Sequence, residues 1–336
     1  QLANTQRGKT SEKEDNLKFA HHFLTRLLFV CYLIERGMIE GKHFNDDMLK
    51  KLCPTTERSD GYFLRHLFND VDDIEKRRKI LCQIFEYVKD NFNGSLFLDD
   101  IKKEKELYSD DLIRVINDFL NGHEIRTGQR VLGFWAYDFS VIPIETISAV
   151  YESFLGEQGK LQEVQGSGDS KRSTGAYYTP LHLAELTVDI ALENIEEKIS
   201  KQIHELKILD PACGSGVFLV SLFGRMAESL RRVENHIQEG PCIDWARKLL
   251  PLLHQLYGID RNPTACHITC FSLYLALLEQ LTPMHVEYLR KHNEKLPPLL
   301  ANTVLKSYNT IYYGNLFDPK LSFDEQNFDY RSVADP

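Results

Sequence analysis

The chain has 336 residues, 43% of them hydrophobic and 26% charged, which suits two domains with cores and excludes a disordered or fibrous polypeptide. Its formal net charge of −9 argues against these residues alone forming the main surface that grips a nucleic-acid backbone, because such surfaces are basic. The first predicted helix is LKFAHHFLTRLLFVCYLIERGMI, residues 17–39, whose apolar residues recur at three- and four-residue spacing and which Gly37 interrupts near its end. A second covers about 72–90, with Asp72 or Asp73 as its cap, and NFNGSLF (91–97) supplies an Asn-Gly turn. SDDLIRVINDFLNG reads as a helix capped by Ser109 and ended by Gly122, and PIETISAVYESFLG as one opened by Pro143 and ended by Gly156.

The composition then changes. GEQGKLQEVQGSGDSKRSTG, residues 156–175, is glycine-rich and polar with no hydrophobic period, the signature of a linker or surface loop. Beyond it, helix and strand alternate. LHLAELTVDIALENIEEKI is helical, LKILDPA is a short apolar strand, and GSGVFLVSLFGRMAESLRRV is helical again. LLHQLYGID runs from helix into strand, NPTACHITCFSLYLALLEQL is an apolar helix, and NTIYYGNLFD gives another strand and loop. This alternation predicts a parallel, doubly wound sheet, whose ligands bind beyond the carboxyl ends of the strands. The expected division is a helical domain over 1–156, a linker over 157–174 and an α/β domain over 175–336.

Cysteine placement and hydropathy set the compartment. The seven cysteines are scattered and form no CxxC pair, as expected of reduced thiols. Cys266, His267 and Cys270 lie within one apolar helix and lack the four ligands at recognisable spacing that zinc requires, so no metal site is expected. No apolar run approaches the roughly 18 residues of a membrane helix. The polar start QLANTQRGKTSEKEDN lacks the apolar core of a signal peptide. The expectation is a cytoplasmic protein without a membrane segment. The run KKEKE at 102–106 reads as a solvated surface.

The strongest local signal is ILDPACGSGVFLV, residues 208–220. An apolar strand ends at Asp210, a tight turn carries Gly214 and Gly216, and a helix follows. Glycines let backbone approach a ligand closely, and a helix N-terminus points amide groups at it. A carboxylate at the strand end can pair with an ammonium group. S-adenosylmethionine carries an ammonium and a carboxylate, so the arrangement suits its methionine end. A dinucleotide site would prefer GxGxxG, which Val217, Phe218 and Leu219 break, and the Gly-Lys-Ser/Thr of a P-loop is absent. The same turn can also join strand to helix with no ligand, and a GxG alone is weak evidence.

Four segments in order make the signal specific. DPACGSG resembles the first motif of the methyltransferases that modify adenine N6 in DNA, and GAYYTP (175–180) resembles the motif that precedes it. YGIDRNP (257–263) resembles the second motif and YGNLF (313–317) the third. LLFVCYLIERGMI, FNGSLF and YDFSVIPIETISAVYESFLG resemble the helical leader of large restriction–modification enzymes, namely type I modification subunits, fused type IIG enzymes and related phage-defence methylases. The resemblance implies a helical N-terminal domain followed by a Rossmann-like methyltransferase domain that uses S-adenosylmethionine.

It also implies roles. Tyr177, Tyr178, Thr179 and Pro180 would close over the methionine end of the cofactor. Asp210, Pro211, Ala212, Cys213, Gly214 and Gly216 would wrap its methionine and sulfonium region, and Asp260 would accept hydrogen bonds from the ribose hydroxyls. Asn315 and Leu316 would contact its adenine; relatives often have Asp where Asn315 stands, and Asn can still accept through its carbonyl oxygen. Fifty positions separate Asp210 from Asp260, against about 20 in a simple dinucleotide fold, and VENHIQEGPCIDWARKLLPLLHQ fills the difference as an added helix.

Such enzymes orient the target amine with Asn or Asp followed by Pro-Pro and an aromatic, and stack that aromatic on a flipped base. These 336 residues contain no Asn-Pro-Pro-aromatic tetrapeptide, and Asp335-Pro336 follows Arg331 and Ser332 rather than a buried strand. No catalytic residue is therefore assigned. The chain is expected to be a truncated part whose catalytic motif, target-recognition domain and any nuclease lie beyond it, and whose partners are double-stranded DNA and a specificity or nuclease subunit. RNA or protein-glutamine methylation, and a non-catalytic assembly module, remain as alternatives.

Overall fold

A computed structural model describes residues 19–20, 22–44, 64, 71, 73–92, 107–121, 179–193, 206–237, 243–300 and 309–314. The predicted Asn93-Gly94 turn, the helix at 143–156 and the linker at 157–174 lie outside the described residues. The chain divides into two compact units, Gln1–Ile142 with Arg290–Lys295, and Pro143–Leu289 with Leu296–Pro336.

The first unit is helical among the described residues. Helix α1 (22–35) buries Phe23, Leu27, Phe29, Val30 and Leu33. It ends at residue 35, short of the predicted 39, and the interrupting Gly37 adopts φ +67° just beyond it. There the Gly37 and Met38 amides turn back to the carbonyls of Ile34 and Leu33, both at 2.9 Å, which satisfies orphan carbonyls of the last turn. Helix α2 (Ile74–Phe92) is capped by Asp73, whose Oδ1 accepts the Glu75 amide at 2.9 Å. Its face of Ile80, Leu81, Ile84, Phe85 and Val88 is buried. Phe23 meets Tyr108 edge to face at 5.2 Å and Phe85 at 5.8 Å. Arg78 donates to the Tyr108 carbonyl at 2.6 Å and pairs with Asp110 at 2.5 Å, fastening α2 to the start of helix α3 (Asp110–Leu120).

Ser109 caps α3 as predicted, its hydroxyl accepting the Leu112 amide at 3.2 Å. Ser109→Ala is expected to cost about 1 kcal/mol of stability, the usual value of such a cap. A denaturant midpoint unchanged from wild type would show that water replaces the hydroxyl there without loss.

The second unit carries a small parallel sheet. Helix α4 (Leu181–Glu193) precedes strand β1 (Ile208–Asp210) and helix α5 (Val217–Ile237). Helix α6 (Trp245–Leu253), strand β2 (Leu256–Asp260), helix α7 (Pro263–Glu279), helix α8 (Pro283–Lys291) and strand β3 (Ile311–Tyr313) follow. The strand order is β1-β2-β3, parallel throughout, with Asp210 opposite Gly258 and Asp260 opposite Tyr313. Parallel neighbours require crossover connections, and the helices between the strands supply them. The predicted added helix is α6, which fills the long connection between β1 and β2 and buries Trp245, Leu249, Leu252 and Leu253. Helix α8 was not legible as a periodic segment; it opens with Pro283 and buries Val286 and Leu289.

Helix α7 is the centre of this unit. Asn262 caps it, accepting the Thr264 amide at 2.9 Å, and Pro263 occupies its first turn. Every residue from Ile268 to Leu278 is buried, which a helix apolar on all sides achieves only when packed between other layers. It packs against α5, β2 and β3, while α5 also meets α4. Among the described residues no helix is long and apolar enough to cross a membrane.

Candidate functional site

The carboxyl ends of β1 and β2 meet at one loop. Residues 211–216 leave β1, turn tightly, and enter α5. The Cys213 amide donates to the Ile259 carbonyl at 2.9 Å, and the Gly216 amide to the Cys213 carbonyl at 2.7 Å. Gly214 and Gly216 take φ +54° and +87°, a region that residues with a Cβ enter only with strain. The two glycines serve different needs. A Cβ on Gly216 would lie 2.9 Å from Thr269 Cγ2 and 3.2 Å from Thr269 Cα, so its lack of a side chain lets the loop press onto α7. Among the described residues, a Cβ on Gly214 would meet nothing within 4 Å.

Gly258 permits a third close approach. A Cβ there would stand 3.0 Å from Cys213 Sγ, 3.0 Å from Leu219 Cδ1 and 3.1 Å from Ile311 Cδ1. The loop, the first turn of α5 and β3 thus converge on the bare backbone of β2. The motif YGIDRNP needs its glycine for packing as well as its aspartate for polarity.

Two carboxylates face this loop with unequal satisfaction. Asp260 Oδ2 accepts the Gly214 amide at 2.9 Å, and Oδ1 accepts the Asn262 amide at 2.7 Å. A carboxylate has about four lone-pair positions, so Asp260 keeps accepting capacity. Asp210 Oδ1 accepts the Ala212 amide at 3.1 Å. Asp210 Oδ2 is buried and has no hydrogen-bond partner among the described residues. Burial raises the Asp210 carboxyl above its ordinary pKa; the Ala212 amide opposes this and the nearby Asp260 charge adds to it. A buried anion with an idle oxygen is costly unless a cation or donor faces it.

Nearby thiols offer no nucleophile. Burial, with the Cys266 and acidic charges adding, pushes Cys213 far above the ordinary thiol value, so it stays protonated. Cys266 is pushed up to about 12 by burial and by the Asp260 charge, and its thiol faces the Tyr312 carbonyl at 3.4 Å. Among the described residues no group of three or more His, Cys, Asp or Glu side chains could hold a metal ion.

The structure brings Asp210, Pro211, Ala212, Cys213, Gly214, Gly216 and Asp260 together at one edge of the sheet. Cys213, however, is 3% exposed; its side chain faces β2 and Thr269, while Pro211 and Ala212 are exposed. Thr179 and Pro180 are half-buried, and the Pro180 carbonyl accepts the Leu183 and Ala184 amides that start α4. Tyr177, Tyr178, Asn315 and Leu316 lie outside the described residues. Sequence reasoning missed Thr269 and Gly258. A lone hydroxyl inside an apolar helix was the available signal for Thr269, but its partner lies 55 positions away.

Residues 188–318, from within α4 to just past β3, match the family model of the MmeI DNA-methyltransferase domain. The resemblance is to the adenine methyltransferases of restriction–modification systems. A Methanocaldococcus jannaschii protein named provisionally as a type II restriction enzyme and methyltransferase is 25% identical over 86% of this chain and 27% of its own length. A type II restriction enzyme and methyltransferase of Escherichia coli is 24% identical over 59% of the chain and 21% of its length. The adenine-specific methyltransferase PglX of Streptomyces coelicolor is 26% identical over 49% of the chain and 13% of its length. The chain therefore spans about a quarter or less of these methyltransferase relatives. The 86% coverage necessarily takes in part of the helical first unit, and the domain match contains the whole loop with both carboxylates.

Proposed function

We propose that this chain holds S-adenosylmethionine at the carboxyl edge of its parallel sheet, as the donor-binding part of a restriction–modification enzyme that methylates adenine N6 in double-stranded DNA. The idle buried oxygen of Asp210 carries this reading. It calls for a cation or donor, and the cofactor's ammonium supplies both. No described residue stands within 4 Å of where a Cβ on Gly214 would be, which leaves room for a ligand to approach the loop. Asp260, with lone pairs to spare, would receive the ribose hydroxyls while its bonds to Gly214 and Asn262 hold it in place. When bound, the cofactor supplies an activated methyl on a sulfonium; the residues of this chain bind it and fix its direction.

In this proposal the sheet belongs to a Rossmann-like domain over 175–336, preceded by a helical domain over 1–156 and a linker over 157–174. Tyr177, Tyr178, Thr179 and Pro180 cover the methionine end, and Asn315 and Leu316 flank the adenine. The work is done in the cytoplasm, on DNA, with a specificity or nuclease partner. These 336 residues contain no Asn-Pro-Pro-aromatic tetrapeptide to orient the acceptor amine.

Calorimetric titration with S-adenosylmethionine tests the donor site, and tritiated cofactor with mixed-sequence duplex tests the acceptor chemistry. The expected result is saturable binding that weakens in Asp260→Ala, without label entering DNA. A folded chain that binds nothing at millimolar cofactor overturns the donor site. Label in DNA from this chain alone overturns the placement of the acceptor motif, and label in RNA or protein overturns the choice of substrate.

A further inference from the structure

Gly214 is gripped from both sides. Its amide donates to Asp260 Oδ2 at 2.9 Å, and its carbonyl accepts the Thr269 hydroxyl at 2.8 Å. Thr269 also stands 3.7 Å from Cys213 Sγ, but a hydroxyl has one proton, and the shorter bond to the Gly214 carbonyl takes it. The methyl of the same side chain lies against Gly216, within 2.9 Å of where a Cβ would be. Thr269 itself is 0% exposed, within the all-buried stretch of α7. One side chain therefore touches both loop glycines that hold positive φ, by a hydrogen bond at one and by packing at the other.

We propose that Thr269 is a positioning residue for the cofactor loop: its hydroxyl fixes the left-handed turn at Gly214, and its methyl seats Gly216. This inference rests on the reading of the loop as the S-adenosylmethionine site. An α helix can use its residues at this depth simply as filler, and Ala or Val would fill the apolar space. Thr supplies the one thing they lack, a donor for a carbonyl that the turn leaves without a helical or sheet partner. The methyl and the hydroxyl then have separable consequences. Losing the methyl opens a small void against Gly216 and lowers stability. Losing the hydroxyl frees the Gly214 peptide to rotate, so the loop is less often in the shape that receives the ligand.

The test compares Thr269→Ser, Thr269→Ala and Thr269→Val in the full 336-residue chain, by calorimetry with S-adenosylmethionine and by thermal melting. Ser keeps the hydroxyl and loses the methyl; Ala loses both; Val keeps the methyl and loses the hydroxyl. Thr269→Ser is expected to melt lower yet bind within about twofold of wild type, while Thr269→Ala and Thr269→Val bind roughly fivefold to tenfold more weakly, the worth of one neutral hydrogen bond. The Ser–Ala comparison decides the matter even if Val disrupts the fold, because both leave a void at the same place. Equal affinity in the Ser and Ala variants, with wild type binding normally, overturns the positioning role alone. Absence of binding by wild type overturns the reading of the site, and this inference with it.

Discussion

Asp210→Asn is expected to weaken S-adenosylmethionine binding by roughly tenfold to hundredfold, the worth of a charge-assisted hydrogen bond, while leaving the ligand-free chain at least as stable as wild type. The amide keeps an oxygen to accept from Ala212 and removes a charge that burial penalises. The sign of the pH dependence follows from the direction of the shift. A carboxyl whose pKa is higher folded than unfolded binds its proton more tightly in the folded state. Its contribution is therefore most favourable below the ordinary carboxylate value, declines as pH rises through the raised folded value, and stays reduced above it. Asp210→Asn removes that decline. At neutral pH the melting temperature of the ligand-free chain is therefore expected to be no lower than that of wild type. A marked fall in melting temperature, or unchanged affinity, would show Asp210 to be a structural acid rather than a ligand group.

The second large effect separates the two loop glycines. Gly216→Ala puts a methyl 2.9 Å from Thr269 Cγ2 and 3.2 Å from its Cα, at a φ of +87°. Strain and overpacking together are expected to cost about 2–4 kcal/mol, enough to lower the melting temperature several degrees. Among the described residues Gly214→Ala meets no atom within 4 Å, so its expected cost is that of φ +54°, about 1–2 kcal/mol. Its methyl projects into the space assigned to the ligand, so affinity falls by at least tenfold despite the milder loss of stability. The paired measurement is a melt and a titration of each variant. If Gly214→Ala binds as wild type does, the ligand lies elsewhere.

Much of this architecture was legible because its determinants are local. Gly37, Asp73, Ser109 and Asn262 each act on backbone within a few residues, so helix boundaries follow from side-chain chemistry. Asp210 and the glycines were legible because an apolar run, a turn and a second apolar run announce a strand entering a helix. Thr269 and Gly258 were not, since the atoms that explain them lie dozens of positions away. Cys213 sits inside the motif yet turns its thiol toward β2, because pleat and packing decide orientation, not motif membership. Helix α8 escaped notice because its nine residues mix Pro, Met, His and charged groups without a sustained period.

The double hold on Gly214 also sets an order of events. Its two partners lie 46 and 55 positions downstream, so the loop cannot settle when β1 and α5 alone have formed. It becomes rigid only after β2 and α7 have docked, and contacts of such separation form slowly because loop closure precedes their gain. A ligand that recognises the settled loop therefore binds the completed pair of strand–helix units and draws the folding equilibrium toward it by mass action. During synthesis, binding competence would emerge as a step, after α7 has left the ribosome, rather than growing with chain length from the glycine loop onward.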